Sequence, residues 1–96
     1  MAIYVAVVHK EPSSDYGVSF PDFPGCVTAG ASLDEAVALA HDALAFHLEG
    51  MAADGDPLPA RPRTVAEVLA DPELAGGTPF LVEVDAPRRV PAGAAG

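Results

Sequence analysis

The chain has 96 residues, a formal net charge of −9 and a single cysteine. This length allows one small domain with a few strands and one long helix, but no second catalytic lobe. One cysteine excludes an internal disulfide, no apolar run reaches the length of a bilayer span, and no basic segment precedes an early apolar stretch. We therefore expect a cytoplasmic protein with no membrane attachment.

The acidic residues are unevenly distributed along the chain. Nine of them lie between Glu11 and Asp56, and no Lys or Arg interrupts that segment. Such a segment repels phosphate backbones, so we expect no direct binding of nucleic acid, and it attracts basic proteins. Ordinary acidic solubility is the alternative explanation of the same charge.

The first part of the chain predicts a three-stranded antiparallel meander. The segment 2–9 is β-branched and apolar at both alternating sets of positions, which is typical of a strand covered on both faces. Val18 and Phe20 alternate with Ser19 in a second, half-buried strand, and the segment 26–30 predicts a short third strand.

The connection between the second and third strands, Phe-Pro-Asp-Phe-Pro-Gly-Cys, is the most restricted segment of the chain. Pro21 disfavours helix in the residue before it, and Pro24 with Gly25 suits the centre of a type II turn. We predict that these three residues are structural and that the turn displays Asp22 and Phe23, because a rigid exposed aromatic is a common anchor for a partner. Local packing of Phe23 against the start of the next helix is the alternative.

A long helix is predicted after the third strand. Ser32 and Glu35 fit a capping box, in which the Ser32 side chain caps the helix and Glu35 reaches back to the Ser32 amide. Gly50 or Gly55 is expected to end the helix. The predicted buried stripe has helical spacing and comprises Leu33, Val37, Ala40, Leu44, Leu48 and Met51.

A second short helix and a final strand complete the predicted domain. Thr64 and Glu67 repeat the capping-box pattern and predict a helix to about Ala70. The segment 79–85 alternates in hydrophobicity and predicts the last strand. The fold class is thus α+β in the order β-β-β-α-α-β, with a domain over 1–86. The remaining residues, 87–96, lack periodicity, and we expect a disordered tail.

Catalytic and metal-binding patterns are weak in this sequence. Cys26 has no histidine nearby in sequence, and Asp22 is a poor base for a thiol. His41 and His47 are six residues apart, whereas helical zinc ligands are spaced by four. We expect no catalytic residue, no metal and no cofactor. The alternative from another class is a small hydrolase or ligand-binding protein that uses Asp22, Cys26 and a helix acid.

The segment from Ala2 to about Pro59 resembles the N-terminal domain of the HicB-like antitoxin family. The shared pattern begins with a first strand and a second strand that starts with Tyr-Gly. The motifs FPD-x-PGC and T-x-G-x-S-x-x-E-A follow, and after them come an alanine-rich helix and a glycine-containing segment that leads to a proline. The resemblance is specific, because a hydrophobic pattern alone would not produce the turn motif and the capping box at this separation.

The resemblance implies a partial ribonuclease-H-like fold without nuclease activity, and the first strand indeed contains no carboxylate. It also implies an antitoxin that sequesters a small basic mRNA-cleaving toxin of the HicA type, with a solitary self-associating module as the alternative. The residues that we predict to bind the partner are Asp22, Phe23, Asp34, Glu35 and Asp42.

Two further expectations concern assembly and DNA. A small domain with two sheet edges relieves their exposure by pairing, so we expect a homodimer or a higher even oligomer. Many members of the family continue into a ribbon-helix-helix or helix-turn-helix module. The residues after Val84 contain no strand followed by two amphipathic helices, so we expect no operator binding by this chain.

Overall fold

A computed structural model of the protein describes residues 2–59 and 61–85. In this part of the chain three strands, two α-helices, one short 3₁₀ helix and a last strand follow one another: β1 (Ala2–Lys10), β2 (Tyr16–Ser19), β3 (Val27–Gly30), α1 (Leu33–Asp54), α2 (Val65–Ala70), the 3₁₀ helix (Pro72–Leu74) and β4 (Thr78–Val84). The strands form one antiparallel sheet in the order β3-β2-β1-β4. The predicted α+β class and order of elements are confirmed. The tail expected at 87–96 lies outside the described residues.

β1 is covered on both faces, as its composition predicts. Tyr4 and Ala6 belong to the main core under α1, whereas Val5 and Val7 form a smaller buried cluster with Val68 of α2. Successive side chains of a strand point to opposite faces, so a central strand between two helical layers must be apolar at every position. α1 and α2 therefore lie on opposite faces of the sheet.

The main core is built on a stripe of small and branched residues along α1. Ala36, Ala40, Leu44 and Leu48 are fully buried. The helix approaches β3 so closely that a Cβ atom at Gly30 would lie 2.5 Å from the Ala36 backbone nitrogen. Replacing a buried leucine of this kind with alanine costs about 2–5 kcal/mol.

The predicted stripe is wrong at the start of α1. Leu33 and Val37 are exposed, and Ala36 takes the buried position instead. The reason is the close approach of Gly30, which leaves room only for an alanine at the contact, so the larger neighbours flank it. At the other end, Gly55 terminates the helix with φ 75°, a left-handed conformation that glycine adopts readily.

The caps of the two helices differ in detail. At α1 the Ser32 side chain accepts a hydrogen bond from the Glu35 amide at 3.1 Å, as predicted. Glu35, however, accepts from the Ala31 amide at 3.2 Å and not from Ser32, because its side chain extends past the first turn toward the end of β3. At α2 Thr64 and Glu67 form the complete predicted capping box.

β4 extends the sheet beyond β1. It pairs with β1 along almost its whole length, from Ala2 opposite Val84 to Val8 opposite Thr78. Val82 and Val84 are buried toward α1, while Leu81 and Glu83 on the other face are exposed, as the alternation predicts. The outer side of β4 is one edge of the described sheet.

Candidate functional site

The connection between β2 and β3 consists of two consecutive reverse turns. The Phe23 amide donates to the Phe20 carbonyl and the Cys26 amide donates to the Phe23 carbonyl, both at 3.0 Å. Pro24 and Gly25 occupy the central positions of the second turn, and Gly25 has φ 89°. A non-glycine residue there would be strained. The two turns return the chain against the C-terminal half of α1.

Phe23 belongs to the core. Only 2% of this residue is exposed. Its ring meets the ring of Tyr4 edge to face at 4.8 Å between centroids and that of His47 at 5.6 Å. The expectation that the turn displays Phe23 is therefore wrong, because the two reverse turns direct this side chain inward.

Asp22 is also engaged within the molecule. Its side chain is 8% exposed. The carboxylate accepts from the Arg63 amide at 3.1 and 3.3 Å, and the Arg63 Nε lies 3.9 Å away. Asp22 thus joins the turn to the residues that precede α2. The expectation that the turn displays Asp22 to a partner is wrong, because the carboxylate is nearly buried and bound to Arg63.

The proposed hydrolase pair does not have the required chemistry. Cys26 is buried, and burial raises the pKa of its thiol. A nucleophilic cysteine needs a lowered pKa, since the thiolate is the reactive form. Burial, with a smaller effect from Asp22, also raises the pKa of Tyr4. This part of the core is a poor place for a thiolate.

Three of the predicted partner-binding acids lie on the exposed side of α1. Asp34, Glu35 and Asp42 are all exposed, and Asp42 lies 3.2 Å from the Nδ1 atom of His41. Twelve residues separate Asp34 from Phe46, beside the turn, or about 18 Å along a helix. The structure therefore places Asp34 and Glu35 far from the turn, whereas Asp42 is one helical turn from Phe46, and the five residues do not form one compact site.

A groove lies between the turn and the C-terminal half of α1. It has a volume of about 460 Å³ and is open to solvent along one side. Its apolar lining includes Pro24 and Met51, and the carboxylate-bearing residues 54 and 56 also line it. Phe46, also part of the lining, is 78% exposed.

Sequence reasoning missed the groove and its exposed aromatic residue, Phe46. Phe46 lies off the apolar stripe of α1, on a face where helical spacing predicts polar residues. An exposed aromatic ring beside a concave surface is a candidate anchor for a partner. Asp54, at the end of the same helix, has no hydrogen-bond or ion-pair partner among the described residues.

The arginines near α2 are neutralised locally. Arg61 donates two hydrogen bonds to Glu67 at 3.0 and 3.1 Å, and together with the Thr64 amide this arginine lowers the Glu67 pKa to about 2. Arg63 donates to Asp71 at 3.1 Å. These cations therefore do little to offset the acidic surface of α1.

Within the ranges 2–59 and 61–85, no three His, Cys, Asp or Glu side chains are grouped as ligands of a metal ion. The helices described there are also too short or too polar to cross a membrane. The buried thiol offers no reactive nucleophile, and an exposed acidic helix beside an open groove is typical of a binding surface.

The comparison with known families assigns this binding domain to a class. Residues 4–91 match the model of the HicB-like antitoxin of bacterial toxin–antitoxin systems. Because the match covers most of the sequence, the chain belongs to the HicB-like antitoxin family. The family is one of antitoxins and not of enzymes, so the resemblance noted in the sequence is confirmed.

Solved structures and a phage protein are similar to this chain. The Burkholderia pseudomallei antitoxin HicB is 34% identical with a TM-score of 0.79, over 94% of this chain and 73% of that one. A chain of the HicA3 and HicB3 toxin–antitoxin complex is 32% identical with a TM-score of 0.73, over 88% of this chain and 99% of that one. A 14.9 kDa protein from the rep-hol intergenic region of Haemophilus phage HP1 (strain HP1c1) is 40% identical over 76 residues, which are 79% of this chain and 56% of that protein.

Proposed function

We propose that this protein neutralises a small, basic, mRNA-cleaving toxin of the HicA type by covering its RNA-binding or active surface. The observation that carries the proposal is the 32% identity, over 88% of this chain, to a chain of the HicA3 and HicB3 toxin–antitoxin complex. The two chains also share their fold, with a TM-score of 0.73. The site of action is the cytoplasm, where mRNA is cleaved.

The charge of the domain supports a basic partner. Asp34, Glu35, Asp42 and Glu49 are exposed along α1, and no Lys or Arg occurs in that helix. An RNA-cleaving toxin binds a polyanion, so the surface that it uses for RNA is cationic. An acidic helix competes for the same surface and accelerates the encounter.

Binding to the toxin is tested by stopped-flow association of the purified 96-residue chain with a HicA-type toxin from the same host. We expect the association rate to fall steeply as salt rises, because screening weakens the attraction between exposed charges. A matched variant in which Asp34, Asp42 and Glu49 become Asn, Asn and Gln should associate more slowly at low salt and respond less to salt. Absence of any complex would overturn the proposal.

Self-association is a second part of the proposal. β4 offers an unpaired outer edge, and Ile3 and Leu81 are exposed as diagonal neighbours on the α2 face of the sheet. Pairing of two such edges would give the homodimer or higher even oligomer. A solitary self-associating module without a toxin would use the same surface.

Sedimentation equilibrium distinguishes a monomer from a dimer or a larger even oligomer by mass. We expect a dimer or larger even species for the wild type at tens of micromolar and a monomer for Leu81→Lys. Leu39→Lys, an exposed apolar position on α1, is the matched control and should leave the assembly unchanged. A wild-type monomer would contradict the pairing of edges.

A further inference from the structure

The groove beside the turn brings together an apolar lining, an exposed aromatic ring and carboxylates. Its lining is mainly apolar, through Pro24, Met51 and Pro57. An exposed aromatic ring, that of Phe46, forms part of the wall. Carboxylates stand at the end of the groove formed by the last turn of α1 and the residues that follow it.

Charge complementarity restricts the occupant of the groove. Asp54 and Asp56 line it, and no Lys or Arg of residues 2–59 and 61–85 does. Asp54 is exposed and has no hydrogen-bond or ion-pair partner in the described part of the chain. An anionic or phosphate-bearing ligand would be repelled here, whereas a cation would gain a carboxylate partner.

The apolar lining restricts the occupant further. A small inorganic cation gains nothing from Phe46, Met51 or the prolines. An arginine side chain suits all three surfaces, because its methylene stem packs on apolar and aromatic atoms and its N–H groups bind a carboxylate in a fork. A volume of about 460 Å³ is within the range of small-molecule pockets and leaves room for one arginine side chain.

We infer that this groove is the arginine-binding anchor of the domain and that it takes one arginine side chain from the basic protein partner. The stem packs on Phe46, Met51 and Pro24, and the guanidinium binds Asp54, which lies about 12 Å from Phe46 along the helix axis. The groove is separate from the acids at the start of α1, so it fixes the docking position, while those acids attract the partner from a distance. This inference rests on the proposed function for the identity of the partner.

Rigidity makes the groove suitable as an anchor. Phe46 is in the middle of α1, whose neighbouring positions Leu44 and Leu48 are buried in the core. The opposite wall is the turn held by the Phe23 and Cys26 amides and by the Asp22–Arg63 hydrogen bonds. A preformed pocket loses little conformational entropy when a side chain enters it.

The first test measures the affinity for the HicA-type toxin by isothermal titration with four variants of the full chain. Phe46→Ala and Asp54→Asn change the groove, whereas Val37→Ala on the same helix and Glu73→Gln on the 3₁₀ helix change exposed positions outside it. We expect each groove variant to bind about tenfold more weakly or worse, and each control to stay within about threefold. Equal affinities for all four variants would overturn the inference and leave the proposed function intact.

The second test needs no toxin. The peptides acetyl-Gly-Arg-Gly-amide and acetyl-Gly-citrulline-Gly-amide differ only in the charged head of the central residue. We expect the arginine peptide to shift the amide resonances of Phe46, Gly50 and Asp54 in a ¹⁵N-labelled sample, and the citrulline peptide to leave them in place. If no toxin binds but this shift occurs, the proposed function fails and the arginine site stands. If no toxin binds and the arginine peptide shifts nothing, both fail.

Discussion

Phe23 and Phe46 both line the groove, but only Phe46 is exposed to water. Phe23 is enclosed by Tyr4, His47 and the turn, whereas Phe46 is largely solvent-exposed on α1. Burial of an aromatic ring stabilises a fold, while an exposed ring contributes to binding. The two residues therefore have different roles despite their proximity.

Substitution of each phenylalanine by alanine should separate these roles. Phe23→Ala should lower the free energy of unfolding by about 3–5 kcal/mol, because it leaves a cavity in the core. Phe46→Ala should change it by no more than about 0.5 kcal/mol, as for other surface substitutions. Urea denaturation followed by circular dichroism measures both. Similar losses for the two variants would show that our assignment of core and surface is wrong.

Asp22 makes a testable contribution to stability as well. Asp22→Ala removes the acceptor of the Arg63 amide and should cost about 1–2 kcal/mol. Asp54→Ala is the matched control, and it should be neutral because an exposed acid at a helix C-terminus gains nothing from the helix dipole. Thermal unfolding of both variants measures the difference. An Asp22→Ala variant as stable as the wild type would mean that Asp22 is free to serve a partner.

At the scale of elements, pattern predicted most of the fold. The apolar run of β1, the alternation in β4 and the Thr64–Glu67 cap each depend on spacing along the chain, which the sequence displays directly. The direction of Phe23 was not predictable in this way, because it depends on how two successive turns are oriented in space. The exposure of Leu33 and Val37 was not predictable either, because it depends on the close contact between Gly30 of β3 and the backbone of Ala36.

The groove illustrates the same limit. Its two walls are separated by more than twenty residues in sequence, from Pro24 to Phe46 and beyond. Only Phe46, an aromatic residue off the apolar stripe, gives a local signal. The sequence shows the charges of Asp34 and Glu35 but not their distance from the turn, because that distance depends on where the turn meets α1.

The start of α2 provides a prediction about pH. The Arg61 guanidinium and the Thr64 amide hold the Glu67 pKa at about 2, below the ordinary value of 4.5. A carboxyl with a lowered pKa in the folded state stabilises the fold above its unfolded pKa, and this contribution is lost as pH falls from about 4.5 toward 2. α2 should therefore loosen in acid.

Glu67→Gln isolates this contribution, because glutamine can keep the capping box but has no charge. We expect the wild type to melt at a higher temperature than Glu67→Gln above pH 5, and the gap to close as the pH approaches 2. Glu73→Gln, an exposed acid of the neighbouring 3₁₀ helix whose carboxylate has no partner in the described chain, is the control and should show no such gap. A gap that widens in acid would contradict the assigned sign.

At the scale of the whole molecule, the net charge of −9 is the dominant electrostatic feature. Arg61 and Arg63, which could contact phosphates, are already paired with Glu67 and Asp71. Neutralised phosphates provide much of the affinity of proteins for DNA, so the described part of the chain offers few favourable contacts. We therefore predict no sequence-specific binding of this 96-residue chain to its own promoter.

Fluorescence anisotropy at about 150 mM salt tests this prediction by measuring the affinity of the chain for the upstream duplex. A duplex of scrambled sequence is the control, and we expect the same weak binding to both. Specific affinity in the nanomolar range would contradict the prediction and would place DNA recognition in residues outside those described.

Neutralisation of the toxin is the central claim, and an mRNA cleavage assay tests it most directly. A HicA-type toxin from the same host is incubated with a labelled mRNA and increasing amounts of the purified chain, with Phe46→Ala as a weakened variant. At a toxin concentration above the dissociation constant of the wild-type complex, we predict that cleavage stops near one antitoxin chain per toxin. At a toxin concentration below the dissociation constants of both complexes, the variant should require about tenfold more protein than the wild type. Cleavage that continues unchanged in a large excess of the wild-type chain would contradict the account.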